Sequence, residues 1–274
     1  MFFGCRSALP VCCLLALWNM SANARELRVC ADPNNLPFSN ERGDGFENKI
    51  VEVVAADLDA QLHYTWWAQR RGFIRNTVGA HLCDLIAGTI AGLPMLRSTA
   101  PYYRSSYVFV SRPGHHEIAS FDDPALRAAK IGIHLIGDDG FNVPPAHALA
   151  GRGIVSNVRG YSIYGDYREK SPPSRLIEAV SNGEIDVAIA WGPLGGYFAA
   201  LQSPPLRIKE ILPSTDGELP MTYEIAMGVR RGDETLQQEL DAVLVRKQRE
   251  IVAILSKFHV PQVEPPERVL ELQR

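Results

Sequence analysis

The sequence has few cysteines, no long apolar run beyond its start and little net charge, and each shortage excludes something. Five cysteines occur in 274 residues, and Cys5, Cys12 and Cys13 are crowded near the beginning. No Cys-x-x-Cys, His-Glu-x-x-His or Gly-x-Ser-x-Gly is present, which removes common redox, zinc-hydrolase and serine-hydrolase signatures. The formal charge is −3, so neither nucleic acid nor an anionic membrane surface is expected as the main partner. A hydrophobic content of 46% is too high for a disordered chain.

Residues 1–24 are expected to be a cleaved secretory signal. Arg6 supplies a positive start, Ala8 to Trp18 an apolar stretch, and Ala22-Asn23-Ala24 a small-x-small cleavage site. The stretch is shorter than the roughly 20 residues a membrane span needs, so no membrane insertion is expected after cleavage. Cys30 and Cys83 are then the two cysteines left, either bridged or a pair of buried thiols. An exported compartment favours the bridge. Register opposes it: if Asp32 and Gly88 lie level, the cysteines are offset by three residues. That is roughly 10 Å at about 3.3 Å per residue, beyond the roughly 7 Å Cα limit for a disulfide. A bridge then needs Cys83 in a turn that folds back.

Leu27 to Ala31 reads as a strand, ended by Asp32-Pro33-Asn34-Asn35-Leu36-Pro37. Phe46, Ile50, Val53, Val54 and Leu58 share one helical face within Gly45–Asp57. Strands follow at Leu62–Trp67 and Asp84–Ala87, with a short helix over Phe73–Ala80 between them. The same pattern restarts with a strand at Lys130–Leu135, a helix over Arg175–Asn182 capped by Ser174, and a strand at Ile185–Ala190 broken by Gly192-Pro193. Tyr107–Val110 and Thr222–Val229 supply two connecting strands, and a long amphipathic helix follows Asp233. The expected fold is α/β: two α/β lobes with separate sheets, joined by two hinge strands, with a cleft between them at the strand carboxyl ends. Lobe 1 is expected at 25–112 plus 222–274 and lobe 2 at 113–221, in a monomer.

Seven blocks resemble the periplasmic solute-binding proteins of the polar-amino-acid type (family 3), specifically the quinoprotein-dehydrogenase-associated MxaJ/XoxJ group. They are Leu27–Ser39, Gly45–Lys49, Tyr64–Phe73, Pro101–Tyr107, Gly137–Gly140, Ala188–Leu194 and Met227–Asp233. The resemblance implies a periplasmic-binding-protein-like fold and an accessory role beside a PQQ-dependent methanol/alcohol dehydrogenase, bound through the cleft. It implies no enzymatic activity and no cofactor of the chain's own. The alternatives are a solute-binding protein of an ABC importer, taking PQQ or a small organic acid, and a cleft-carboxylate enzyme using Glu47 or Glu224. Amino-acid binders of this fold clamp a carboxylate with a threonine and an arginine after the third strand. Here Thr89 has no arginine near it until Arg97, and Trp191 stands where an amine-binding aspartate is usual. A free α-amino acid is therefore not expected to bind.

The residues expected at the cleft are Asp32, Asn34, Phe38, Trp67, Arg70, Arg71, Gly88, Thr89, Gly137, Asp138, Asp139 and Trp191. Strand alternation sends Trp66 and Trp67 to opposite faces, and Trp67 is taken as the cleft residue. His115-His116-Glu117 lies on a proline–glycine loop and reads as exposed rather than metal-binding, and no metal is expected.

Overall fold

The structure is a computed structural model that describes residues 25–135, 142–162 and 167–264. The first half contains β1 (Arg25–Ala31), the paired short strands β2 (Asn34–Asn35) and β3 (Ser39–Asn40), α1 (Phe46–Asp57), β4 (Ala60–Trp66), α2 (Phe73–Asn76), β5 (Leu85–Ile90), β6 (Arg97–Ser98) and β7 (Tyr103–Ser111). The second contains β8 (Ile131–Leu135), α3 (Pro144–Gly151), β9 (Val158–Ser162), α4 (Arg175–Ser181), β10 (Val187–Trp191), α5 (Gly192–Ala200) and β11 (Arg207–Glu210). The paired strands β12 (Thr215–Asp216) and β13 (Leu219–Pro220), then β14 (Thr222–Val229), α6 (Glu234–Arg246) and α7 (Gln248–Lys257), complete the chain.

Two parallel triplets, β4-β1-β5 and β10-β8-β9, flank the antiparallel pair β14 and β7. The sheets are not separate, contrary to the expectation from sequence: hydrogen bonding runs unbroken from β4 to β9. The reason is the length of β7. Its residues Tyr103–Ser106 pair with β14, and Tyr107–Ser111 pair with β10, so one nine-residue strand belongs to both lobes. The apolar cores nevertheless divide there. One core gathers Leu27, Phe46, Ile50, Leu85, Met227 and Leu240, and another gathers Phe109, Ile131, Ile133, Leu149 and Ile189. Trp191 and Tyr223 pack against both.

Local chemistry explains the elements and the departures from expectation. α1 starts at Gly45, where a β-carbon would sit 2.1 Å from the Phe38 carbonyl oxygen, and Asn48 Oδ1 accepts from the Gly45 N–H at 3.1 Å. Its buried face centres on Val51 rather than Val53. α2 stops at Asn76 because Thr77 Oγ1 donates to Phe73 O and the chain turns through residues 77–82. α4 carries no side-chain cap: Ser174 Oγ instead bonds Ser171 O and Glu178 Oε1. Gly192-Pro193 does not merely end β10 but opens α5, with Pro at the first turn where its missing N–H costs nothing. The long C-terminal helix is two helices, broken at Lys247.

The register assumed from sequence is the register found, since Cys30 pairs with Ile86, which sets Asp32 level with Gly88. Cys83 lies outside β5, after the 77–82 turn, and is folded back so that its Cα is 5.6 Å from that of Cys30; the two are disulfide-bonded.

Candidate functional site

A cavity of about 520 Å³ lies where the carboxyl ends of the parallel strands converge. That is the position at which open α/β sheets take ligands, and the size is that of a small-molecule site. Gly88, Thr89 and Ile90 from the end of β5, His134 from β8 and Trp191 from β10 form its inner wall. Phe38, Gln69 and Arg70 come from the loops after β1 and β4, and Tyr103, Tyr107 and Tyr223 from the shared strands. The aromatic floor is organised around Trp191, whose ring meets Tyr107 edge-on at 5.4 Å and Tyr223 at 5.8 Å.

Of the residues expected from sequence, Phe38, Arg70, Gly88, Thr89 and Trp191 line this cavity. Asp32, Asn34, Trp67 and Arg71 do not, and Gly137, Asp138 and Asp139 lie outside the described residues. Asp32 is buried and holds loops together: it accepts from the Asn34 N–H at 2.8 Å and the Gln69 N–H at 2.7 Å, and from Tyr167 O–H at 3.5 Å. Burial pushes its carboxyl pKa up, partly offset by those hydrogen bonds. Asn34 reaches across, its amide donating to Glu169 O at 2.7 Å. Trp67 follows the last residue of β4, its N–H bonded to Ala31 O, and its side chain faces solvent. Trp66 stacks on Tyr64 at 4.5 Å instead of entering the cleft. His116 is bonded to Asp123 at 2.7 Å, and no group of three or more metal-ligating side chains occurs among the described residues.

Two titratable side chains govern the electrostatics. Glu47, in the first turn of α1, is 9% exposed, and its carboxyl abuts Gly88, where a β-carbon would meet Oε1 at 2.0 Å. Desolvation pushes its pKa up to about 8. Glu224, the other acid singled out in the sequence, is exposed and not on the cavity wall, so Glu47 is the one carboxyl on the described lining. His134 is 4% exposed; its ring bonds the Pro173 carbonyl while Nε2 has no partner, and burial drives its pKa down to about 3. His134 was missed from sequence, although one signal existed: it is the lone polar side chain in the apolar run Ile131–Leu135. No arginine from the segment after β5 stands on the described wall. Arg97 pairs with Glu234 and donates to Arg231 O on the exposed side.

Two lobes sharing a crossing strand pair, with a cavity at the ends of their parallel strands, define a fold of the periplasmic-binding-protein class. No protein-family model matches the chain. It is 30% identical over 253 residues to the protein MoxJ of Methylorubrum extorquens, covering 87% of this chain and 82% of that protein. It is 29% identical to MoxJ of Paracoccus denitrificans, over 88% of this chain and 90% of that one. The crystal structure of the periplasmic binding protein XoxJ from Methylobacterium extorquens AM1 superposes with a TM-score of 0.72 at 35% identity, covering 87% of this chain and all of that one. The chain belongs to the MoxJ/XoxJ/MxaJ family of periplasmic binding proteins.

Proposed function

We propose that this protein is an exported, non-enzymatic, monomeric accessory protein that binds a PQQ-dependent methanol/alcohol dehydrogenase through the inter-lobe cleft and assists its maturation or activation. Family membership supports an accessory role in methanol oxidation. The observation that carries the cleft reading is the wall itself: aromatic and aliphatic side chains dominate, and the arginine that would clamp a free carboxylate is paired elsewhere. The lobes meet at the shared strands, with 25–112 plus 222–274 on one side and 113–221 on the other. No helix among the described residues is long and apolar enough to cross a membrane.

The test is direct binding of the purified chain to a purified, PQQ-dependent methanol dehydrogenase, by calorimetry or co-elution. A complex with the parent, weakened at least about tenfold by Trp191→Ala, supports the reading; no complex with either the apo or the PQQ-loaded enzyme rejects it. A second reading, binding of PQQ or a small organic acid for an importer, is favoured by the cavity's volume, which suits a small molecule.

A further inference from the structure

The cavity wall offers electron-rich groups with nothing to receive them. The Glu47 carboxyl has no hydrogen-bond or ion-pair partner among the described residues, although it is almost entirely removed from water. Buried carboxyl groups are ordinarily paired or hydrogen-bonded, so one left bare on a cavity wall marks a missing partner. A second, independent orphan faces the same cavity: His134 Nε2, buried and without a donor. Because the ring's other nitrogen is committed to the Pro173 carbonyl, Nε2 is a lone-pair acceptor. The rings of Tyr103, Tyr107, Trp191 and Tyr223 line the same cavity, and such ring faces attract positive charge. Arg70, exposed at the mouth, is the one lysine or arginine on the described lining.

We infer that the cavity takes an organic cation bearing N–H donors, an alkylammonium or a guanidinium, either free or as the tip of a lysine or arginine side chain. The inference rests on the cleft being the binding site, as proposed above. A metal ion is not what the described lining fits: the cavity is far larger than an ion, and no cluster of ligating side chains occurs among the described residues. On the described lining an anion would meet the His134 lone pair, which repels it, with no buried cation to hold it. A neutral hydroxyl-bearing ligand can bond the protonated Glu47 carboxyl and His134 Nε2, but it makes no use of the attraction of the ring faces for positive charge. The cation satisfies both orphans, and it reaches Glu47 by turning a protonated carboxyl into a paired carboxylate, releasing one proton. The groups coupled to Glu47 stay in one state meanwhile: the hydroxyls of Tyr64, Tyr102 and Tyr103 have raised pKa values; His134, elsewhere on the same lining, is neutral.

The experiment is calorimetry on the full exported chain with phenethylammonium, 2-phenylethanol and phenylacetate, which share a ring and differ in charge. The expected result is phenethylammonium at least about tenfold tighter than either analogue, with close to one proton released at pH 7, read from the heats in two buffers. Its affinity should rise from pH 6 to 8. Glu47→Gln should lose the preference for the cation while keeping the 2-phenylethanol affinity, which also shows that the variant is folded. Equal or tighter binding of the alcohol or the acid, binding without proton release, or no binding of any cationic probe overturns the inference. Blocked Gly-Lys-Gly and Gly-Glu-Gly peptides distinguish the sources: tighter lysyl-peptide than phenethylammonium binding assigns a side chain, the reverse a free amine. Dehydrogenase capture without cation binding would overturn only this inference. Cation binding without dehydrogenase capture would overturn only the proposed function.

Discussion

The carboxyl of Glu47 lies against the α-carbon of Gly88, its Oε1 2.0 Å from where a β-carbon on that residue would stand. One side chain from α1 thus occupies the notch that β5 leaves open, and the wall of the cavity is set by the fit of these two residues. Gly88→Ala should push the carboxyl aside. Because the displaced atom is the end of a flexible side chain, the expected cost in stability is small, under about 1 kcal/mol, while the cavity loses its acidic wall. A crystal structure of the variant with Glu47 unmoved would contradict this.

The burial of Glu47 should also be visible in the pH dependence of unfolding. Its folded pKa, about 8, lies above the unfolded value near 4.5, so the folded state binds the extra proton between them. Stability from this group is therefore highest below pH 4.5 and declines as pH rises toward 8, by of order 3–5 kcal/mol in total. Urea titrations at pH 5 and pH 8 should show that decline in the parent and its loss in Glu47→Gln. Equal slopes in the two proteins would be the contrary result.

His134 works in the opposite sense. Its folded pKa of about 3 lies below the unfolded 6.5, so the unfolded chain gains the proton first on acidification. Stability is complete above pH 6.5 and falls toward pH 3 at about 1.4 kcal/mol per unit. His134→Gln should unfold with a shallower acid limb, measured by thermal melts from pH 7 to pH 4.

The Cys30–Cys83 bridge closes a separation of 53 residues, for which the chain-entropy estimate is about 4 kcal/mol. A chain beginning at Arg25, denatured without reductant, should titrate no free thiol, and Cys30→Ala/Cys83→Ala should lose about 2–4 kcal/mol in urea. Two thiols per chain would contradict the bridge.

Asn34→Ala removes the side-chain contact to Glu169 O across the mouth of the cleft. Faster amide exchange at residues 167–170, with the melting temperature lowered by only a few degrees, is the expected outcome.

Much of the fold could be read from sequence because burial and periodicity were strong where the strands are central. β5 is largely apolar, β1 and β14 turn apolar toward their carboxyl ends, and the level of Asp32 with Gly88 follows from where β1 and β5 end. Turns were harder. Nothing in His81-Leu82-Cys83 announces a reversal, which depends on the positive φ of His81 and on a cluster of backbone bonds around Thr77. α5 was hidden because Gly192-Pro193-Leu194-Gly195-Gly196 has the composition of a loop. Its glycines are there for close packing: a β-carbon at Gly196 would strike His259 O at 2.1 Å, and one at Gly192 would strike Ser106 O at 2.4 Å. At the site, the sequence placed Gly88, Thr89 and Trp191 and named Glu47 as a cleft acid, but it put Asp32 and Trp67 on a wall they do not line and missed His134. Trp191 and Thr89 follow from strand position, whereas the importance of Glu47 and His134 lies in the absence of partners, which only three-dimensional packing reveals.

The unbroken pairing through β7 sets how the protein can breathe. Where two lobes hang from slack linkers, they swing freely, and the gap between them takes any width at little cost. Here Tyr103–Ser106 and Tyr107–Ser111 are one rod gripped at both ends by different neighbours. Widening the mouth means twisting that rod and its partner β14, so displacement is met by a restoring torque spread over the whole crossing pair. The same rod carries Tyr107, and its partner β14 carries Tyr223, so the ring contacts of Trp191 sit at the crossing itself, where a twist of the rod displaces atoms least.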